Sequence, residues 1–143
     1  MLIKHVHDVD VQDEYIRVTK DDTIAEIAKK FEPSVVCNPD HHDQICSPIL
    51  SAYVIENGKL IGIIDKDTII TEVIMNGKDP KKITAKEIMK EPICCTINQP
   101  IQDAINLIID KGILTVAALD GKKLVSVISV YDAIFLFHEM DDI

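Results

Sequence analysis

The chain repeats itself, and this repetition restricts its fold more than any other feature of its 143 residues. Residues 49–73 align with residues 113–137 at an offset of 64 without a gap, and six of the 25 positions are identical. Residues 15–31 align with residues 92–108 at an offset of 77, and both segments place apolar residues on one face of a helix. We therefore expect two copies of one structural unit.

Each copy has the pattern strand, helix, strand, turn, strand and helix. Asn57-Gly58 is a strong signal for a tight turn between two strands, and residues 120–123 (DGKK) stand at the same place in the second copy. Thr23 and Glu26 predict a capping box at the start of the first helix.

The two offsets, 77 and 64, differ by 13, so the first copy carries 13 extra residues. This insertion falls within residues 32–48, between the first helix and the second strand. We predict a first repeat over residues 8–76, a linker over residues 77–84 and a second repeat over residues 85–140. Gly77 and Pro80 mark the loop that separates the copies.

The repeat resembles a known family. The segments that carry the resemblance are residues 23–31 (TIAEIAKKF) and 52–70 in the first copy, and residues 85–92 (AKEIMKEP) and 102–134 in the second. Together they resemble the cystathionine-β-synthase (CBS) domain pair, or Bateman module, in a standalone CBS-domain protein. The resemblance implies the fold class α+β, with tandem repeats that each have a three-stranded sheet and two helices and that pack pseudo-symmetrically through their sheets. It also implies two clefts between the repeats that bind adenosine-type ligands, and a sensor without catalytic chemistry.

The family's ligand signature is a glycine followed by Ser or Thr and, three residues later, Asp. Ser129 and Asp132 fit this pattern in the second copy, where Ser126 replaces the glycine. In the first copy Asp65 and Thr68 occupy the two positions in the opposite order. A hydroxyl at a helix N-terminus leaves room for a phosphate, and the Asp can accept hydrogen bonds from a ribose. The simpler alternative is a helix cap followed by an acid in the first turn.

The resemblance extends to the segment before each first helix and to the start of each second strand. The remaining predicted binding residues are Cys95, Thr96, Ile97, Pro100, Ile113, Leu114 and Thr115 in the second copy, and Val18, Thr19, Leu50, Ser51 and Ala52 in the first. Apolar walls can enclose a purine, although the apolar members of this set could equally be core.

The candidate ligands are AMP, ADP, ATP, S-adenosylmethionine and methylthioadenosine. Family members that hold phosphates often have a basic residue immediately before the signature Asp, whereas Tyr131 stands immediately before Asp132. This difference favours a ligand with one phosphate or none. The cations considered as phosphate partners are Arg17, Lys66, Lys122 and Lys123. Arg17 alternates with apolar neighbours on a predicted strand, so we expect it to point away from the core and into solvent.

The insertion contains four residues that could bind zinc: Cys37, His41, His42 and Cys46. Adjacent histidines rarely converge on one ion, and a Cys-x2-Cys spacing is absent. A polar loop, a disulfide, and a lid or partner surface are the alternatives. We predict no required metal or cofactor. A structural or metal-dependent interaction module that uses residues 37–46, with empty clefts, is the alternative to a ligand sensor.

Charge and composition restrict the partners. The net charge is −9 and Arg17 is the single arginine, so a nucleic-acid interface and attachment to an anionic membrane are not expected. Lys4, His5 and Asp8 follow Met1 without an apolar core, so we expect no secretory leader and a cytoplasmic location. No nucleophile, base and acid can be assigned, so we do not predict an enzyme.

The last helix, residues 132–140, is apolar around much of its circumference: Ile134, Phe135, Leu136 and Phe137. A helix with this pattern is normally buried. We therefore predict a homodimer that forms through the CBS helices, and a client protein whose identity the sequence does not give.

Overall fold

In the computed structural model, residues 1–5, 15–31 and 49–141 are described. The first repeat consists of three strands and two helices, the second of which continues as a π-helix. Their bounds are β1 Tyr15–Val18, α1 Ile24–Lys30, β2 Ser51–Glu56, β3 Lys59–Asp65, α2 Lys66–Ile69 and the π-helix Ile70–Ile74.

The second repeat follows the same order after a short connecting helix. Its elements are α3 Ala85–Ile88, β4 Cys94–Thr96, α4 Ile101–Lys111, β5 Thr115–Asp120, β6 Lys123–Ser129 and α5 Val130–Asp141. Each repeat forms its own three-stranded sheet, β1-β2-β3 and β4-β5-β6. In both sheets the first two strands are parallel and the last two are antiparallel. The predicted α+β class and the tandem arrangement are confirmed.

Alternate residues of the middle strands serve two different apolar clusters. In β2, Ala52 and Val54 pack on the helices of the first repeat, whereas Tyr53 joins a cluster between the two sheets. In β5, Val116 packs on the helices of the second repeat, and Ala117 belongs to the inter-sheet cluster. Side chains alternate across a strand, so each sheet can bury both of its faces. The inter-sheet cluster joins the repeats.

The segment before the second repeat packs against the first repeat. Ala85 and Ile88 of α3 are buried in the helix-side core of the first repeat. Beyond α3, the backbones of Ile63 and Lys90 exchange two hydrogen bonds of 2.9 and 3.0 Å. From here on we use the name linker for residues 77–93, which include α3 and end at β4. The linker is therefore fixed along β3 before the chain enters β4.

Residues 1–5 pack against the second repeat. Ile3 is fully buried in the core of that repeat, and its N–H donates to the carbonyl of Gln99 at 3.0 Å. The N–H of Ile101 donates to the carbonyl of Met1 at 2.8 Å. The segment before each repeat therefore packs against the other repeat. These two contacts join the halves in addition to the inter-sheet cluster.

The helix ends follow from local chemistry. The hydroxyl of Thr23 accepts the N–H of Glu26 at 3.2 Å, and the carboxylate of Glu87 accepts the N–H of Thr84 at 2.6 Å. The backbone N–H and the hydroxyl of Thr84 both donate to Glu87, and they hold the pKa of its carboxylate below the usual value. Pro100 is the residue before α4 and not its first helical residue, because its ψ of 144° is still extended.

Gly62 is needed where the linker approaches β3. A Cβ built at this position would lie 2.5 Å from the Sδ of Met89 and 2.9 Å from its Cβ, which is closer than van der Waals contact allows. Ser126 occupies the equivalent position in the second repeat and is largely buried. The glycine of the signature in the first repeat therefore has a packing function.

Candidate functional site

Three hydroxyl groups meet at the centre of the contact between the repeats. The Oγ1 of Thr115 lies 2.9 Å from the Oγ of Ser51 and 2.7 Å from the phenolic oxygen of Tyr53. Ser51 and Thr115 begin the equivalent strands β2 and β5, and they are related by the offset of 64. Burial raises the pKa of Tyr53 above its usual range, so its phenol stays protonated. This cluster lies near the axis that relates the two repeats.

A cavity of about 290 Å³ opens beside these hydroxyls, between the two repeats and the linker. Its lining combines buried hydroxyls, aliphatic side chains and four charged residues: Ser51, Ile63, Asp65, Asp67, Lys90, Glu91, Ile93, Gly112, Ile113, Leu114 and Thr115. Small-molecule sites have volumes of roughly 300–1,000 Å³, with apolar walls and a few convergent polar groups. The cavity therefore suits a ligand of about nucleoside size. We call it cleft one.

Asp65 caps the helix at the edge of cleft one. Its Oδ1 accepts the N–H of Thr68 at 2.8 Å and the hydroxyl of Thr68 at 2.9 Å. Asp65 is half-buried and lines the cavity, whereas Thr68 is buried. A carboxylate of the chain itself thus accepts one of the N–H groups at the start of this helix.

Ser129 and Asp132 form the equivalent cap in the second repeat, with the roles exchanged. The Oγ of Ser129 accepts the N–H groups of Tyr131 at 3.1 Å and Asp132 at 3.2 Å, and the Asp132 Oδ2 accepts the N–H of Ser129 at 2.8 Å. Asp132 is 1% exposed, so its carboxylate is buried in the protein interior. The residue at the helix start is neutral here, whereas it is an acid at cleft one.

Comparison with known protein families agrees with this architecture. The family model for the CBS domain matches residues 6–74 and 85–139, which together cover most of the chain. The chain belongs to the CBS domain family. Its two repeats form a CBS domain pair.

Solved structures of CBS domain pairs have the same fold. A CBS domain protein from Pyrobaculum aerophilum, complexed with AMP, superposes with a TM-score of 0.72 at 15% identity, and the match covers 98% of this chain and 99% of that one. The CBS domain pair of protein MJ0100, in complex with 5′-methylthioadenosine and S-adenosyl-L-methionine, has a TM-score of 0.72 at 22% identity and covers 98% of both chains.

One curated relative matches part of the sequence. An uncharacterized protein of Methanopyrus kandleri is 30% identical over 80 residues, which are 54% of this chain. The chain spans 40% of the length of that relative.

Five of the predicted binding residues line cleft one of this CBS pair: Ser51, Asp65, Ile113, Leu114 and Thr115. The signature residue Asp65 comes from one repeat and the aliphatic residues come from the other. From the sequence we predicted that Ile113–Thr115 form one pocket with Ser129 and Asp132 of their own repeat. Thr115 does pair with Ser129 in the sheet, but Ile113 and Leu114 line the cavity beside Asp65.

The other predicted residues lie outside the lining of cleft one. Ala52 and Val18 are buried in the helix-side core of the first repeat, and Cys95 is buried in that of the second. Thr96, Ile97 and Pro100 lie in the connection from β4 to α4, where the carbonyl of Ile97 accepts the N–H of Lys4 at 3.0 Å. Thr19 is exposed after β1, and Leu50 is half-buried immediately before β2.

Lys90, Glu91 and Ile93 also line cleft one and were not predicted from the sequence. They lie between α3 and β4, and the backbone pairing of Lys90 with Ile63 brings them to the cavity. The charged pair in the segment KEP before β4 was the available signal. Its position depends on the backbone pairing with β3, a strand that is distant in the sequence.

The prediction that Arg17 points into solvent described only part of its surroundings. Arg17 points away from the helix-side core, as predicted, but this face of β1 meets the second repeat. Its Nη2 donates to the carbonyl of Leu124 at 3.2 Å and to the phenolic oxygen of Tyr15 at 3.3 Å. The Nζ of Lys66 lies 5.6 Å from the ring centre of Phe31. Within the lining of cleft one, the cation is Lys90.

The zinc hypothesis concerned Cys37, His41, His42 and Cys46, all of which lie outside the described residues. Within residues 1–5, 15–31 and 49–141, no group of three or more His, Cys, Asp or Glu side chains is placed to hold a metal ion. In the same part of the chain, no helix is long and apolar enough to cross a membrane. The interaction module built on residues 37–46 stays a hypothesis.

Proposed function

We propose that this CBS domain pair is a regulatory module that binds an adenosine-type ligand between its repeats. The observation that carries the proposal is cleft one, a nucleoside-sized cavity with aliphatic walls and buried hydroxyls, formed jointly by both repeats. Relatives of the same fold were crystallised with AMP, and with methylthioadenosine and S-adenosylmethionine. We propose that the pair regulates a partner and does not itself catalyse a reaction.

The repeat predicts a second cleft on the other side of the Ser51–Thr115 contact. Applying the offset of 64 exchanges Asp65 with Ser129 and Leu114 with Leu50. The second cleft, which we call cleft two, would thus combine the Ser129–Asp132 cap with the start of β2. Its neutral cap leaves more room for an anionic group than the carboxylate of Asp65 does. We propose that cleft two is the tighter site for an adenosine nucleotide.

A thermal shift screen with adenosine, AMP, ATP, S-adenosylmethionine and methylthioadenosine tests this function. A ligand at 100 times its dissociation constant should stabilise the fold by about 2.7 kcal/mol. For a domain of this size that corresponds to a rise in Tm of several degrees. Guanosine and GMP serve as controls and should give smaller shifts. If every adenosine compound leaves the Tm unchanged, the sensor proposal is wrong.

Asp132→Ala locates the tighter site. The loss of two charge-assisted hydrogen bonds to a ribose, each worth about 1.5–3 kcal/mol, should weaken adenosine binding by about 100-fold or more. Thr68→Ala, at the equivalent position of the first repeat, should have a much smaller effect. Because Asp132 also caps α5, calorimetric titration should be performed well below the Tm of each variant. Asp132→Asn, which retains an oxygen acceptor, is a second variant with a milder effect on the cap.

We also propose that the pair associates into a homodimer through the last helix of each repeat. Ile70 and Ile134 are equivalent in the repeat and are 47% and 60% exposed, and Ile74 beside the first is 63% exposed. Leu136 is buried against Ile105, so only part of the predicted apolar surface is open. Light scattering after size-exclusion chromatography should give about twice the 16.0 kDa chain mass. Ile70→Glu with Ile134→Glu should give the monomer mass, and a parent that is monomeric at micromolar concentration contradicts the proposal.

A further inference from the structure

Cleft one has an electrostatic composition that a phosphate-binding site does not have. Three carboxylates line it, those of Asp65, Asp67 and Glu91, against the single ammonium of Lys90. Asp65 is half-buried, whereas the other three charged residues are exposed at the opening. Like charges repel across a cavity with low-dielectric walls more strongly than they do in water. A ligand with a negatively charged tail would enter this cleft against the net field.

One of the backbone N–H groups that could offset this repulsion is already engaged. The N-terminus of a helix binds phosphate through its free N–H groups, which point at the anion. In cleft one the N–H of Thr68 donates to the Asp65 carboxylate at 2.8 Å, and the Thr68 hydroxyl donates to the same oxygen at 2.9 Å. The carboxylate of the chain therefore occupies the position at which a phosphate oxygen would accept.

The remaining surface of cleft one suits the uncharged part of a nucleoside. Ile63, Ile93 and Leu114 supply aliphatic area, and the hydroxyls of Ser51 and Thr115 supply polar contacts. The volume of about 290 Å³ is at the lower end of small-molecule sites, which leaves little room for a chain of phosphates. The volume thus disfavours di- and triphosphates, whereas the choice between AMP and S-adenosylmethionine follows from charge.

From these observations we infer that cleft one selects adenosine derivatives whose 5′ substituent is uncharged or positively charged, such as a thioether or a sulfonium, and rejects 5′-phosphates. This inference rests on the proposed adenosine-binding function and specifies its ligand at one of the two clefts. A sulfonium gains from the same carboxylates that repel a phosphate. The pair would then distinguish two chemical classes of adenosine compound, one in each cleft.

Calorimetric titration of the full chain with methylthioadenosine, S-adenosylmethionine and AMP at low ionic strength tests the inference. The parent should bind either of the first two compounds at cleft one more tightly than AMP. Asp67→Asn and Glu91→Gln remove exposed charges at the opening, so the fold should be retained. Each should raise AMP affinity at cleft one about 3-fold and lower that of S-adenosylmethionine, and the double variant should raise AMP affinity about 10-fold.

Asp120→Asn is the matched control, because this exposed acid is the last residue of β5 and is not part of the lining of cleft one. It should leave the ratio of AMP affinity to methylthioadenosine affinity unchanged. The inference is overturned if AMP binds cleft one of the parent as tightly as methylthioadenosine does. It is also overturned if the variants at the opening leave that ratio unchanged. Binding by none of the three compounds overturns the adenosine-binding function too, whereas a preference for AMP overturns the charge selection alone.

Discussion

The two helix caps use the same pair of residue types in opposite order, and the exchange changes what each cleft presents. In the first repeat Asp65 stands before the helix and lines the cavity, while Thr68 is buried behind it. In the second repeat Ser129 stands before the helix, and the acid at 132 is buried. Both arrangements bind N–H groups at the start of the helix. The order determines whether a carboxylate or a hydroxyl stands immediately before the helix, at the position where a phosphate would lie.

The largest expected effect comes from reversing this difference. Asp65→Ser combined with Thr68→Asp gives the first repeat the order of the second and preserves both cap partners. Removing a half-buried charge from the cavity should raise AMP affinity at cleft one by about 10- to 100-fold. Titration calorimetry should then detect a second AMP site. Thr68→Asp alone is the control, because it keeps the original carboxylate at the opening and should not produce that site.

A second difference between the repeats is the glycine in β3. Gly62→Ala should destabilise the fold by about 1–3 kcal/mol, because the new Cβ overlaps Met89 of the linker. The measurement is the midpoint of urea unfolding. Ser126→Ala, at the equivalent position of the second repeat, should cost less. If Gly62→Ala unfolds at the same midpoint as the parent, the linker does not hold the position described here.

The hydroxyl cluster offers a smaller contrast between equivalent positions. Thr115→Val removes a partner from both Ser51 and Tyr53, so it should lower the free energy of unfolding by about 1–2 kcal/mol. Ser51→Ala removes one hydrogen bond and leaves Thr115 bonded to Tyr53, so its cost should be about half as large. Urea unfolding of both variants tests this order, and equal losses would show that the cluster is not centred on Thr115.

The smallest expected effect is the alkaline stability that depends on Tyr53. Burial raises the pKa of its phenol, whereas an unfolded tyrosine loses its proton near pH 10. The folded state is therefore favoured below that pH, and this contribution is lost as the pH rises above the unfolded value. Tyr53→Phe should cost about 1 kcal/mol at neutral pH and flatten the loss of Tm above about pH 10. Ser51→Ala breaks the same cluster without removing an ionisable group, so it should keep the alkaline slope of the parent.

The tandem fold was accessible from sequence because the repeat, the Asn57-Gly58 turn and the Thr23 cap are local signals. The exchange of Asp65 and Thr68 could also be read directly from the aligned copies. Lys90 and Glu91 could not be placed, since their position follows from a pairing between the linker and β3. The packing of residues 1–5 on the second repeat was missed for the same reason, because it depends on contacts about 100 residues away in the chain.

Tyr53 has a further consequence for how the two halves recognise each other. Its equivalent at the offset of 64 is Ala117, and both are fully buried in the cluster between the sheets. Two first repeats placed face to face would bring two copies of Tyr53 into the space that holds Tyr53 and Ala117. Two second repeats would leave part of that space unfilled. Each half therefore discriminates against a copy of itself, and two separately expressed halves should assemble as an unlike pair.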